Sequence, residues 1–422
     1  MGDVVKLQKP AAKAGKANAK PRARRPKRSR TALVLGGGGF TGGVYEIGAL
    51  RALDLLAVNR TVNQFDVYVG TSAGSFVGSL VANGVTPEEM MRVVDQQVPT
   101  PFKDVDRGSL MRPNYREFAE AAAFMPLRLL GLARSVLTQP SQLSLTDLVV
   151  HLAEGLPSGA YDSSGIREYL DSVLGDPDRT NDFRLLDNEL YIPATDLDTC
   201  ERVILGGADW DDIPISHAVS ASTALPMVYK PVEIKGRQLI DGGIRSTTNV
   251  DIAVERGAKF VIVVNPLVPY VNDFQKVIPT VQGSRVRRVA DMGFPQIGYQ
   301  TFKLLAHQRL HEAVSHWKEK YPGVDIILIE PAPNDELMFE TNIMNFTKRV
   351  EIARHGFESV TIRLAEDYDH IKSICAKHGI EISATRVRKV VRKFSKEQER
   401  AAGWRRILEQ TTGALMRQSG QG

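Results

Sequence analysis

The chain has only two cysteines in 422 residues, Cys200 and Cys375, far apart and without metal-type spacing. That scarcity argues against a disulfide framework and suits a reducing compartment. No apolar run reaches the roughly 18 residues that a membrane span requires. The charged N-terminus is followed by no apolar stretch, so it does not read as a secretory signal. These absences predict a soluble, cytoplasmic protein. Acids are nearly missing from residues 1–30, which carry eleven Lys/Arg against one acid, and scarce in residues 385–417, with ten against three. The whole-chain charge of +5 therefore belongs to the ends, and the remainder carries a net of −12.

What is present is ordinary for a globular chain: 43% apolar and 24% charged residues, at a length that suits one large domain or two smaller ones. Residues 1–30 have almost nothing to bury and read as a disordered basic arm. Order begins at Thr31-Ala32-Leu33-Val34-Leu35, a short buried strand. Glycines follow, then a helical pattern in Val44, Ile47, Leu50, Leu53 and Leu56. A second strand at Val67–Val69 leads through Ser72 into a helix with Phe76, Val77, Leu80 and Val81, ending at Asn83-Gly84. This alternation predicts α/β architecture with a parallel sheet. Further strands are expected at Leu190–Ala194, Arg202–Leu205, Gln238–Ile240, Phe260–Val264 and Ile326–Ile329.

Residues 100–160 hold the apolar run Phe124-Met125-Pro126-Leu127-Arg128-Leu129-Leu130-Gly131-Leu132, too short to span a membrane. It reads as a helical insertion packed on the core, or as a lid or apolar surface over a lipid site. Residues 301–320 predict an amphipathic helix with Phe302, Ala306, Leu310, Ala313 and Trp317 on one face. Near the C-terminus Val387, Val390, Val391, Phe394, Ala401, Trp404 and Leu408 recur at helical spacing among Arg and Lys. Such a helix can lie on an anionic membrane or dock on the acidic body.

Three chemistries use a glycine-rich turn between strand and helix, as in Gly36-Gly37-Gly38-Gly39. A phosphate-binding loop needs Gly-Lys-Ser/Thr at its end, and no lysine is near. The dinucleotide fingerprint is met literally by Gly37, Gly39 and Gly42. However, Asp54 lies inside the helical pattern and Asp66 opens the next strand, so neither is placed to hold a ribose. The third is an oxyanion hole, in which peptide N–H groups face the charge developing on an ester carbonyl. That chemistry needs a nucleophile. Gly70-Thr71-Ser72-Ala73-Gly74 supplies one: Ser72 between a strand and a helix, with Gly70, Ala73 and Gly74 small enough for a tight nucleophile elbow.

Ser72 needs a base. All but two of the eight histidines follow Asp241, so chain order alone leaves a Ser-Asp-His triad open. His307 and His311 fall on the predicted helix as solvated side chains. His316 lies on its opposite side, and His311-Glu312-Ala313-Val314-Ser315-His316 misses the zinc pattern H-E-x-x-H by one residue. His355, before a glycine, reads as a structural histidine at a helix end. Asp241 follows Leu239-Ile240 and precedes Gly242-Gly243, a carboxylate at a strand end on a tight turn. In a dry pocket, such a carboxylate gains the basicity to take a serine proton directly.

Together the glycine loop, Gly-Thr-Ser-Ala-Gly and Asp-Gly-Gly resemble the patatin-like phospholipase family of lipid acyl hydrolases. The likeness extends through Pro193-Ala194-Thr195-Asp196-Leu197, Ala218–Pro226 and Ala253–Ala258. It covers residues 31–265 strongly, continues faintly to about 360 and includes neither tail. The resemblance implies a three-layer α/β/α fold with a mostly parallel sheet. Its catalytic domain would be 31–365, with the motifs in 33–265, the helical insertion at about 100–160 and a basic extension at 366–422. It implies a Ser–Asp dyad working through an acyl-enzyme. Ser72 would be the nucleophile and Asp241 the base, with the N–H groups of Gly37, Gly38 and Gly39 as the oxyanion hole and no cofactor or metal for the chemistry. The implied partners are a lipid or phospholipid substrate and, through the basic ends, an anionic membrane surface. Nucleic-acid binding by the arm is the lesser reading, and it predicts steep salt dependence that vanishes on deleting residues 1–30. Asn249 is placed to shape the turn after Asp241. One departure is Thr41, where the family often has Arg or Lys, with one extra residue near Gly43-Val44. Two other readings remain open: a non-catalytic lipid-binding scaffold and a conventional Ser-His-Asp esterase.

Overall fold

The computed structural model describes residues 29–95, 107–138, 155–272, 288–333 and 348–393, with a few isolated positions between them. The basic arm as far as residue 28, the segments 96–106 and 139–152 of the insertion, and residues 394–422 lie outside the described residues.

Short runs of β-branched and aliphatic residues form one eight-stranded sheet. Its strands are β1 (Thr31–Leu35), β2 (Val67–Gly70), β3 (Glu189–Asp196), β4 (Arg202–Leu205), β5 (Val232–Ile234), β6 (Arg237–Asp241), β7 (Phe260–Val264) and β8 (Asp325–Ile329). The order across the sheet is β8-β7-β1-β2-β3-β6-β5, with β4 also paired to β3. The pairs from β8 through β3 are parallel, whereas β3–β6, β3–β4 and β5–β6 are antiparallel. The sheet is thus mostly parallel, with an antiparallel margin carrying Asp241.

The central strands are buried on both faces, as parallel strands covered by helices must be. In β1, Leu33 and Leu35 join the larger apolar cluster, while Ala32 and Val34 join a second cluster on the opposite face. The first face is covered by α1 (Gly39–Leu56), α2 (Ala73–Ala82) and, further along the chain, α9 (Arg349–Glu366). Between them in sequence come α3 (Pro87–Asp95), α4 (Tyr115–Thr138), α5 (Ser164–Leu174), α6 (Ile215–Ser222), α7 (Val250–Glu255) and α8 (Phe294–Lys320). The second face is covered by α7, through Val250, Ile252 and Ala253, and by α8, through Leu310 and Trp317. This is the three-layer α/β/α arrangement.

Four expectations need correction. Of the two readings of the insertion, packing on the core is not met by the described side chains of α4, where Phe118, Phe124, Leu127, Leu129 and Leu130 are exposed as an apolar surface. Helix α8 begins at Phe294 rather than 301, and Ala313 faces solvent while the neighbouring Val314 packs inward. His355 lies inside α9 rather than at a helix end. The following Gly356 is a contact point for α1, where an added methyl carbon would sit 2.5 Å from the Tyr45 carbonyl oxygen. The segment after 365 is not a separate tail throughout, because Ile371, Ile374 and Cys375 of α10 (Tyr368–Lys377), with Ile380 and Val387, belong to the main core.

Candidate active site

Parallel strands present their C-terminal ends together, and the turns from β1 and β2 into their helices therefore lie side by side. Ser72 occupies the turn from β2 to α2 with φ 54° and ψ −125°, a conformation that non-glycine residues rarely adopt. Such strain persists only where neighbours enforce it. Here they do: an added Cβ at Gly70 would meet the Gly74 carbonyl oxygen at 2.5 Å, and one at Gly74 would meet the Gly36 carbonyl oxygen at 2.5 Å. The Gly74 N–H donates to Gly36 O at 3.1 Å, stitching the serine turn to the glycine loop. A Cβ at Gly37 would lie 3.2 Å from Ser72 Cβ, so the loop rests directly on the serine. Gly39 opens α1 with φ 63°. The first N–H groups of a helix have no intrahelical acceptor and carry the positive end of its dipole, which suits an anion.

Asp241 arrives from the antiparallel margin as the last residue of β6. Its N–H donates to Ala224 O at 3.0 Å and its carbonyl accepts Thr195 Oγ1 at 3.3 Å, fixing the backbone. The side chain is held from both sides. Gly243 N–H donates to Oδ1 at 2.7 Å, and Ser72 Oγ–H donates to Oδ2 at 2.5 Å. Gly242 and Gly243 form the 3-10 turn that brings the first donor round. Ser72 and Asp241 are both buried. Burial pushes the Asp241 carboxyl up to about 6, while the bonds from Ser72 and Gly243 pull it down.

Further residues complete the constellation, most of them without an assigned role in the sequence. Ser222, at the end of α6, accepts the Ser72 N–H at 3.0 Å and donates to Pro193 O at 2.7 Å. Asn249 does more than shape a turn: at φ 46° its side-chain amide donates to Thr71 Oγ1 at 3.0 Å and to Ser246 O at 2.7 Å. Pro266 closes on the loop, since a Cβ at Gly38 would meet its Cγ at 2.9 Å. Glu46 is fully buried in α1, and burial pushes its carboxyl well above the ordinary range while the nearby Gly36 N–H pulls it down.

Behind the serine lies a cavity of about 170 Å³, walled by Ile47, Phe76, Leu80, Val85, Met90 and Tyr169, among others. Gly37, Gly38, Gly39, Ser72 and Asp241 all line it, and no histidine does among the described residues. A hydroxyl bonded to a basic carboxylate at the edge of an apolar space can attack an ester whose acyl chain fills that space.

The family model for patatin-like phospholipases matches residues 33–254, more than half of the chain. The chain belongs to the patatin-like phospholipase family. No curated protein matches this patatin-like chain in sequence. Among solved structures it is similar to VipD from Legionella pneumophila, at 15% identity and TM-score 0.36, covering 81% of this chain and 67% of that one. It is also similar to the type III effector ExoU of Pseudomonas aeruginosa, at 14% and 0.34, covering 81% and 53%. A third likeness is to human GIVD cytosolic phospholipase A2 in complex with methyl γ-linolenyl fluorophosphonate, at 10% and 0.29, covering 80% and 58%. The patatin-like chain thus spans just over half the length of the second and third of these proteins.

Proposed function

We propose that the protein is a serine carboxylic-ester hydrolase of lipids, of phospholipase A or lysophospholipase type, with Ser72 as nucleophile and Asp241 as base. One observation carries the reading: the 2.5 Å hydrogen bond from Ser72 Oγ to a buried Asp241 carboxylate beside an apolar cavity. Ser72 Oγ attacks the ester carbonyl carbon as its proton passes to Asp241 Oδ2. The carbonyl oxygen becomes an oxyanion facing the N–H groups of Gly37, Gly38 and Gly39. Collapse breaks the ester C–O bond, and the departing alkoxide of the alcohol or lysolipid takes the proton back from Asp241. Water then attacks the acyl-serine, giving its proton to Asp241. The second collapse frees the fatty acid and returns the proton to Ser72 Oγ.

Neither partner matches the other's pKa, so proton transfer is coupled to attack rather than completed before it. Donors positioned in advance lower the barrier by about 2.7–4 kcal/mol each. The exposed apolar side of α4 and the basic ends support peripheral contact with an anionic membrane, on the cytoplasmic side in this reading. No helix among the described residues is long and apolar enough to cross a membrane. The strained backbone at Ser72 favours this reading over a scaffold without chemistry, because strain of this kind is retained for function.

The test is fatty-acid release from phosphatidylcholine vesicles and hydrolysis of a short-chain nitrophenyl ester. Ser72→Ala is expected to abolish both, and alanine at His307, His311, His316 or His355 to leave ester hydrolysis within a few-fold of wild type. Equal rates for wild type and Ser72→Ala would leave only lipid binding, and loss through one histidine would restore the triad.

A further inference from the structure

Away from the acyl cavity, His307, His311 and Glu330 bring one ligand atom each to within 4.8 Å of one another. Two independent features of the fold create this arrangement. Residues i and i+4 of a helix share a face, so the two imidazoles of α8 lie with ring centroids 4.1 Å apart and planes tilted by 34°. Glu330 directly follows β8 and points its carboxylate at them, with His311 Nε2 3.0 Å from Oε2.

We infer that these three side chains form a binding site for a divalent transition-metal ion of the zinc class. Two imidazoles and one carboxylate are a donor set for zinc, nickel or cobalt rather than for calcium or magnesium, which take oxygen ligands almost alone. The carboxylate is already oriented: its second oxygen, Oε1, accepts Asn265 Nδ2 at 2.7 Å, the outer contact that carboxylate ligands commonly have. Arg363 Nη1 donates to the Glu330 carbonyl at 3.1 Å and fixes the backbone there. Zinc bonds of about 2.0–2.1 Å put donors of a tetrahedral site about 3.3 Å apart. The His311 side chain is 45% exposed, and that opening gives a water access as fourth ligand.

None of the three lines the acyl cavity, so the ion takes no part in the ester chemistry proposed above. It would staple α8 to the end of β8. Helix α8 also carries Tyr299 and Phe302 in the cavity wall, so the ion steadies one side of the acyl space. The sequence offered half the signal: H-E-x-x-H is absent around His311 and His316, and the pair that meets is His307 with His311, completed by a strand-end residue nineteen positions on.

The experiment is titration of chelator-stripped, full-length protein with Zn²⁺ against a chromogenic competitor, followed by Co²⁺ absorption spectroscopy. Wild type should bind one tight equivalent and show cobalt bands of a four-coordinate site. Ser72→Ala should bind identically, which separates this outcome from the fate of the hydrolase reading. His307→Ala and His311→Ala should lose the equivalent. Glu330→Gln, which keeps a partner for Asn265, should weaken binding at least tenfold. His316→Ala and Cys200→Ser, exposed on other parts of the surface, should bind as wild type. Far-ultraviolet circular dichroism of the stripped variants confirms that lost binding is not lost folding. The proposal is overturned if the stoichiometry survives His307→Ala and His311→Ala, if no tight equivalent exists, or if Mg²⁺ competes equally with Zn²⁺.

Discussion

At the scale of single residues, the candidate site sets two groups in conflict with their surroundings. Ser72 sits at a backbone angle that would relax if its neighbours allowed, and Asp241 is a carboxylate placed where water cannot solvate its charge. Burial lifts the Asp241 pKa to about 6, and a raised acid is protonated, and useless as a base, below that value. The sign gives a prediction: kcat/KM on a neutral soluble ester rises through about pH 6 and is flat above pH 7, measured in a constant-ionic-strength buffer series. A profile flat down to pH 4 would contradict Asp241 as the base. Ser72 and Asp241 were legible in the sequence because each sits in a motif whose small neighbours state the local geometry. Ser222 and the Asn249–Thr71 bond were not, since their partners lie 150 and 178 residues away and no local pattern encodes such a meeting. Asn265 and Pro266 were missed for the same reason.

At the scale of elements, seven of the eight strands of the main sheet were legible because buried strands are short, continuous apolar runs bounded by turns; the three-residue edge strand β5 (Val232–Ile234) was missed, being too short to show such a run. Helix α1 was legible as a helix, yet its glycines said nothing of its partner. Gly48 of α1 and Gly356 of α9 mark where the two helices approach backbone to backbone. A methyl group at Gly48 would drive into the Ala353 carbonyl oxygen and approach Phe357 N at 2.6 Å. Because backbone cannot step aside as a side chain can, Gly48→Ala should cost about 1–3 kcal/mol, as overpacking does. Urea unfolding should show the loss, with an unchanged slope. Since α1 begins at the glycine loop, the same variant is expected to lower activity more than it lowers affinity for ester. For the α4 insertion the sequence left core packing and an apolar surface both open, because an apolar run does not say which protein surface, if any, it meets.

At the scale of the molecule, charge and apolar surface are segregated: basic ends, an acidic body, and a helix whose Phe124, Leu127 and Leu130 face solvent. Leu127→Ser with Leu130→Ser should weaken cosedimentation with phosphatidylglycerol vesicles several-fold. Hydrolysis of a soluble ester should be unaffected, because α4 carries no group of the dyad. Deleting residues 1–30 should reduce the salt-sensitive part of the same binding, each lysine or arginine near an anionic surface contributing about 1 kcal/mol. The central claim, that the Ser72 hydroxyl is made nucleophilic by Asp241, is tested most directly by covalent trapping. Intact-mass spectrometry after exposure to an alkyl fluorophosphonate should show a single adduct on wild type, mapped to the peptide containing Ser72. Ser72→Ala should show none, and Asp241→Asn should label at least a hundredfold more slowly. An adduct on another residue, or wild-type labelling of Asp241→Asn, would contradict the account.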